Sequence, residues 1–277
     1  MTSAAQLDHV VINVRQEMDR GEALFAALGF SLTPRGYHTL GSINHLMMFQ
    51  TDYLELIGMP TGGEVQRPEI TSAPLGLTGL VFKTADVDAT FAHLEKIGMA
   101  GEPPKAFSRP VEMPGGARDA RFRTVTVRGD VFPAGRVYFC EHGTPELVWR
   151  PEWQDHANGA RDIAEFVIVH DDPAAEAERY GQLLQTAPAV GEAPTVNVGA
   201  AELVILSPGQ YAERYGDLCA ETAGRAGIFG ALVMRCADPA AIADRLATAP
   251  EELPHRAGGN GVAVRVPAFD SVLEFVG

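Results

Sequence analysis

His9 and Glu55 are the residues best placed for chemistry, because each interrupts an apolar run that predicts a buried strand, LDHVVINV at 7–14 and YLELIG at 53–58. A polar group inside such a run must be hydrogen-bonded, ion-paired or bound to a cation. Imidazole and carboxylate together suit a divalent metal. The same two groups also make a hydrogen-bonded pair that stabilises a sheet, and residue type alone leaves both readings open. Asn44 and His45 lie on the preceding strand, where Asn44 is a candidate substrate contact. A three-residue turn at 50–52 places His45, Met47 and Phe49 on the face of Glu55 and makes His45 a candidate acid–base group. A two-residue turn reverses the faces; the expectation adopted is His45 inward.

Further along, RVYFCEH and ELVW flank Gly143, Thr144 and Pro145. A hairpin there sets His142 opposite Glu146, with Cβ atoms about 4.5–5.5 Å apart. His142 then ligates an ion or orients Glu146; the alternative is a solvent-facing histidine at the turn. Arg121 and Arg123 share one strand face and suit a carboxylate or enolate, although an exposed alternating strand has the same pattern. Tyr37 and His38 precede a glycine turn and are placed at a pocket rim.

The elements that position these groups recur. The first unit opens at Leu7, has helical spacing through Met18, Leu24, Phe25 and Leu28, stops at Gly29, and continues in strands near Phe30–Leu40, Ile43–Gln50 and Tyr53–Met59. A second opens with LTGLVFKT at Leu77, has a helix over Asp86–Ile97 with Asp86 as N-cap, and continues in RFRTVTVRG, RVYFCEH and PELVW. A third starts at IAEFVIVH, with Pro173 in the first turn of its helix, and a fourth at GALVMRC. The expected fold class is α+β, with four βαβββ modules forming two open, barrel-like, helix-covered mixed sheets. The polar stretch at 150–160 is the expected linker, giving domains at 1–155 and 156–277. Superposed last strands align Glu55, Glu146, Glu202 and Glu274; superposed first strands align His9, Gly79, Glu165 and Gly230. With no histidine in its first strands, the C-terminal half is expected to be degenerate, since facing carboxylates without a cation resist joint ionisation.

The 277 residues are 46% hydrophobic and carry a net charge of −14 spread along the chain. That charge argues against a nucleic-acid partner, which needs a basic face. Three dispersed cysteines make neither a disulfide framework nor a thiolate zinc site. No leader-like N-terminus and no apolar stretch near 18 residues are evident, so a cytoplasmic protein without a membrane span is expected. P-loop, nucleophile-elbow, H-E-x-x-H and dinucleotide-binding motifs are absent from the sequence.

With LDHVVINV, GSINHLMMFQTDYLELIG and TPELVWRPEW in view, the chain resembles the vicinal-oxygen-chelate superfamily, that is, the glyoxalase, bleomycin-resistance and extradiol dioxygenase fold, and within it the glyoxalase-like domain proteins. The resemblance implies a divalent metal ion (Fe, Mn, Zn, Ni or Mg) held by His9, Glu55 and Glu146. It implies a small-molecule substrate chelated through vicinal oxygens, lyase, isomerase or dioxygenase chemistry, and a homodimer as one option. Gly79 occupies the fourth ligand position and has no side chain, so the ion has three protein ligands or a substitute. The alternative function is metal-free binding or sequestration, as in the drug-resistance members of the superfamily.

Overall fold

Apolar runs and helix caps form the elements much where the spacing places them. The computed structural model describes residues 5–63 and 67–277. The first module consists of β1 (Leu7–Arg15), α1 (Met18–Ala27), β2 (Gly36–Tyr37), β3 (Ile43–Met48) and β4 (Tyr53–Gly58). After a single turn, α2 (Pro68–Thr71), the second consists of β5 (Gly76–Lys83), α3 (Val87–Lys96), β6 (Lys105–Val111), β7 (Arg118–Thr126) and β8 (Arg136–His142). Asp86 caps α3 as expected, its side chain accepting from the Ala89 amide at 2.9 Å. The third contains β9 (Ala160–His170), α4 (Pro173–Leu184), β10 (Thr195–Val198) and β11 (Ala201–Leu206), followed by α5 (Pro208–Tyr215). The fourth contains β12 (Gly227–Cys236), α6 (Ala241–Leu246), β13 (His255–Gly258), β14 (Gly261–Val266) and β15 (Ser271–Val276).

The first two modules share a sheet of order β2-β3-β4-β1-β5-β8-β7-β6, and the last two a sheet of order β10-β11-β9-β12-β15-β14-β13. In each, the two opening strands pair antiparallel at the centre and each runs parallel to the last strand of its own module. The first sheet nearly closes on itself: Thr39, just after β2, donates its amide to Ser108 O on β6 at 2.9 Å. Its concave side therefore becomes the wall of a cup. The convex, helix-bearing faces of both sheets merge into one core, joined by Phe30 against Phe275 (6.0 Å) and by Phe132 stacked on Tyr180 (4.2 Å). The sheets thus pack on each other across the same buried helices.

Two strand expectations are corrected. PELVW is not a strand: Pro145–Leu147 form a 3-10 turn, with the Leu147 amide bonding Thr144 O. Strand β8 already has β5 and β7 on its two sides, so no edge is free to receive another strand, and Pro145 suits a first helical turn. The module instead gains β6, an outer strand whose Pro110 is tolerated at the sheet edge. In addition, the strand expected over Phe30–Leu40 shortens to Gly36–Tyr37.

Candidate active site

The site begins at a bulge. The register of β1 against β5 shifts between Leu7 and His9, so consecutive residues Asp8 and His9 both serve the concave side. Asp8 is fully buried and accepts from His9 Nδ1 at 2.7 Å and from His142 Nε2 at 3.0 and 3.1 Å. Burial works to raise the Asp8 carboxyl, but the two imidazoles outweigh it and hold the group well below the usual carboxylate range. With Nδ1 bonded to Asp8, His9 Nε2 faces the cup. That nitrogen lies 3.5 Å from Glu55 Oε2 and 3.3 Å from Tyr138 Oη. The Tyr53 ring stacks on the imidazole at 4.4 Å and 12°, restricting its rotation. Asn44 donates to Glu55 Oε1 at 2.6 Å and orients the carboxylate.

Strand pairing explains Tyr138. His9 pairs with Tyr53, and Glu55 lies two residues further along β4. Gly79 pairs with Arg136 on β8, and the same two-residue step reaches Tyr138. The second module therefore supplies glycine and tyrosine where the first supplies histidine and glutamate. A Cβ on Gly79 would stand 2.8 Å from Val11 Cβ, so the close approach of β1 and β5 requires glycine there.

Several expected site residues are elsewhere. Glu146, on the turn after β8, is 57% exposed and pairs with Arg118 at 3.1 Å, away from His9. His142 faces Phe122 rather than Glu146 and turns to Asp8, with Trp149 against its ring at 4.7 Å. His45 pairs with Leu56, which puts it on the helix side, where it bonds Thr33 O at 2.8 Å. The cause is register: Met48 pairs with Tyr53, so a four-residue turn reverses the expected faces and brings Asn44 to the cup instead. Arg121 and Arg123 alternate with inward Phe122 and lie on the outer face; Arg123 forks onto Asp88 with two contacts of 2.9 Å.

The cup contains a cavity of about 400 Å³ reaching His9, Glu55 and Tyr138. His38 lines it, bonded to Ser42 Oγ at 2.8 Å. Burial, helped by Arg109 and Arg67 nearby, pushes the His38 imidazole down to about 4 against the pull of Glu55, so it is neutral at pH 7. Asp8, Tyr138 and Arg109 escape the sequence reading. Asp8 is legible only as the neighbour of His9, and Tyr138 only once RVYFCEH is superposed on YLELIG in place of PELVW.

One further set of metal-capable donors, Asp8, Cys140 and His142, has ligand atoms all within 4.8 Å of one another. Burial pushes the Cys140 thiol well up, with Asp8 and Glu55 adding to it, so metal binding there requires displacement of the thiol proton. The second sheet differs: α5 fills its concave side with Tyr211 and Tyr215. Arg214 bonds Glu165 and Glu274 at 2.8 Å each, and Tyr215 donates to Glu274 at 2.7 Å. The cation that facing carboxylates require is thus an internal arginine, while Glu202, opposite Glu165 in the ladder, is exposed.

Comparison with known proteins agrees with this architecture. The model of the glyoxalase-like domain family matches residues 7–184, and the chain belongs to that family. No curated protein sequence matches it. Among solved structures, a hypothetical protein from Staphylococcus aureus is similar at a TM-score of 0.67 and 10% identity, covering 98% of both chains. A mutant 4-hydroxymandelate synthase from Streptomyces coelicolor is similar at 0.59 and 12%, covering 99% of this chain and 92% of its own. A xylose isomerase-like TIM barrel/4-hydroxyphenylpyruvate dioxygenase fusion protein is similar at 0.59 and 12%, covering 99% and 49%. The fold is that of the vicinal-oxygen-chelate superfamily. No helix among the described residues is long and apolar enough to cross a membrane.

Proposed function

We propose that the chain is a metal-dependent enzyme acting on a small molecule, with a divalent ion held by His9 and Glu55 and with Tyr138 as the second module's contribution. The observation that carries this is the Asp8–His9 bond, which aims Nε2 at Glu55 Oε2 and Tyr138 Oη on the floor of the cavity. Donor atoms around one ion at about 2.0–2.1 Å stand about 3–3.5 Å apart, which the spacings of 3.3 and 3.5 Å fit. When bound, the ion supplies Lewis-acid polarisation of vicinal substrate oxygens, as lyases, isomerases and dioxygenases use it. The chain's own residues do the rest. Asp8 orients His9, Asn44 orients Glu55, neutral His38 stands ready as a hydrogen-bonding group, and Phe107, Phe122 and Val137 give the cavity an apolar section of wall.

A second reading, metal-free ligand binding, is favoured by the thin donor set of the second module, where Gly79 and Tyr138 stand in the ligand positions. Metal analysis of the purified and reconstituted protein separates the two. Stoichiometric metal that is lost in His9→Ala and in Glu55→Gln supports the enzyme; no metal after reconstitution of the parent protein supports binding alone. Loss of the ion in Cys140→Ser with retention in Glu55→Gln would move the site to Asp8, Cys140 and His142.

A further inference from the structure

Arg109, on β6, is only 3% exposed and lines the same cavity. Its guanidinium forms no hydrogen bond or ion pair among the described residues, and its buried Nη2 lacks a partner. Glu55 is near enough to act on it electrostatically but is occupied by Asn44 and His9. Arg121 and Arg123, which the sequence offers for anions, are on the outer face, and the second sheet's half-buried Arg214 is engaged by Glu165 and Glu274. An uncompensated buried cation is among the least favourable arrangements a folded chain can hold. Next to Arg109, Phe107 and Phe122 stack at 5.1 Å and 21°, giving the cavity an aromatic shelf. A guanidinium presents a planar fork of donors that matches a carboxylate with two parallel bonds.

We propose that Arg109 is the anchor for a substrate carboxylate, and that the cavity takes a small organic acid whose apolar or aromatic body lies on Phe107 and Phe122. The proposal rests on the reading of this cavity as the functional site, but not on the ion. The ligand carboxylate supplies the hydrogen-bond partner that the guanidinium lacks among the described residues. The same acid in its neutral amide form leaves the charge uncompensated and is discriminated against.

The test uses benzoate, phenylacetate and 3-phenylpropionate, each beside its amide, with thermal shift and ligand-observed NMR on the full chain. At least one acid is expected to bind more than about tenfold tighter than its amide. In Arg109→Met that preference vanishes while the ligand-free protein melts higher, because a buried charge is gone; the outer-face variant Arg123→Met retains the preference. If Arg109→Met does not fold, Arg109→Lys decides, with a loss of acid affinity of about tenfold expected on losing the planar fork. No acid-over-amide preference anywhere in the series, or a preference undiminished in the Arg109 variant that folds, overturns the proposal. Repeating the series in His9→Ala separates this from the metal reading: acid preference retained in a metal-free protein leaves the Arg109 site standing and removes only the ion.

Discussion

Asp52, in the turn between β3 and β4, accepts from the Ile163 amide at 3.2 Å and so ties the first sheet to β9 of the second. Burial raises its carboxyl from the ordinary 3.8 to about 7, against the Ile163 and Thr51 hydrogen bonds and Lys83, and with Asp162 adding to the rise. The folded state therefore holds a proton that the unfolded chain gives up. The group's contribution to stability is fully present below the unfolded value near 3.8 and is lost as pH rises through about 7. Asp52→Asn keeps the acceptor for Ile163 and cannot ionise. At about 1.4 kcal/mol per unit, the variant should gain on the parent by about 2–3 kcal/mol between pH 5 and pH 8, steeply from pH 5 and levelling off above pH 7. Urea unfolding of both proteins at intervals across that range measures it. A difference between variant and parent that stays flat from pH 5 to pH 8 would refute the idea that a buried, protonatable Asp52 joins the two sheets.

In the second sheet, Arg214→Met leaves Glu165 and Glu274 facing each other and should cost about 2 kcal/mol at pH 7, given their partial exposure; adding Glu274→Gln should recover much of it, by the same denaturant midpoints. Gly79→Ala pushes a Cβ against Val11 and should destabilise by about 1–3 kcal/mol. Gly79→His should therefore fail to raise metal affinity in titration, although it restores the residue type expected at that position. Removing the exposed Glu146 carboxylate with Glu146→Ala should leave metal content unchanged and alter the unfolding free energy by under about 0.5 kcal/mol.

Much of the fold is written in local sequence, because period-2 apolar runs, the Asp86 cap and the Gly29 stop are properties of a few adjacent residues. His9 and Glu55 are legible for the same reason: each is a polar residue that an apolar strand has to accommodate. The module recurs four times, one strand short in its third copy, and the family match covers residues 7–184. Glu146 shows where this stops. Its PELVW context looks like YLELIG, but whether it pairs depends on whether β8 has a free side, and β5 and β7 occupy both. His45 and Asn44 exchanged faces through the length of one turn, since a shift of a single residue inverts every side chain of a strand. Tyr138 meets His9, and His142 meets Asp8, across more than 120 residues of chain through strand register and one bulge. Arg109 is the furthest from local pattern. Nothing near SRPV distinguishes it from a surface arginine, and only closure of β6 toward β2 buries it on the cavity wall. Sequence alone therefore determined the modules, the family and the buried His9 and Glu55, because these depend on neighbours in the chain. Tertiary structure alone decided the partners of His9, the plugging of the second sheet by α5 and the burial of Arg109 on the cavity wall, because pairing and burial are properties of distant segments brought together.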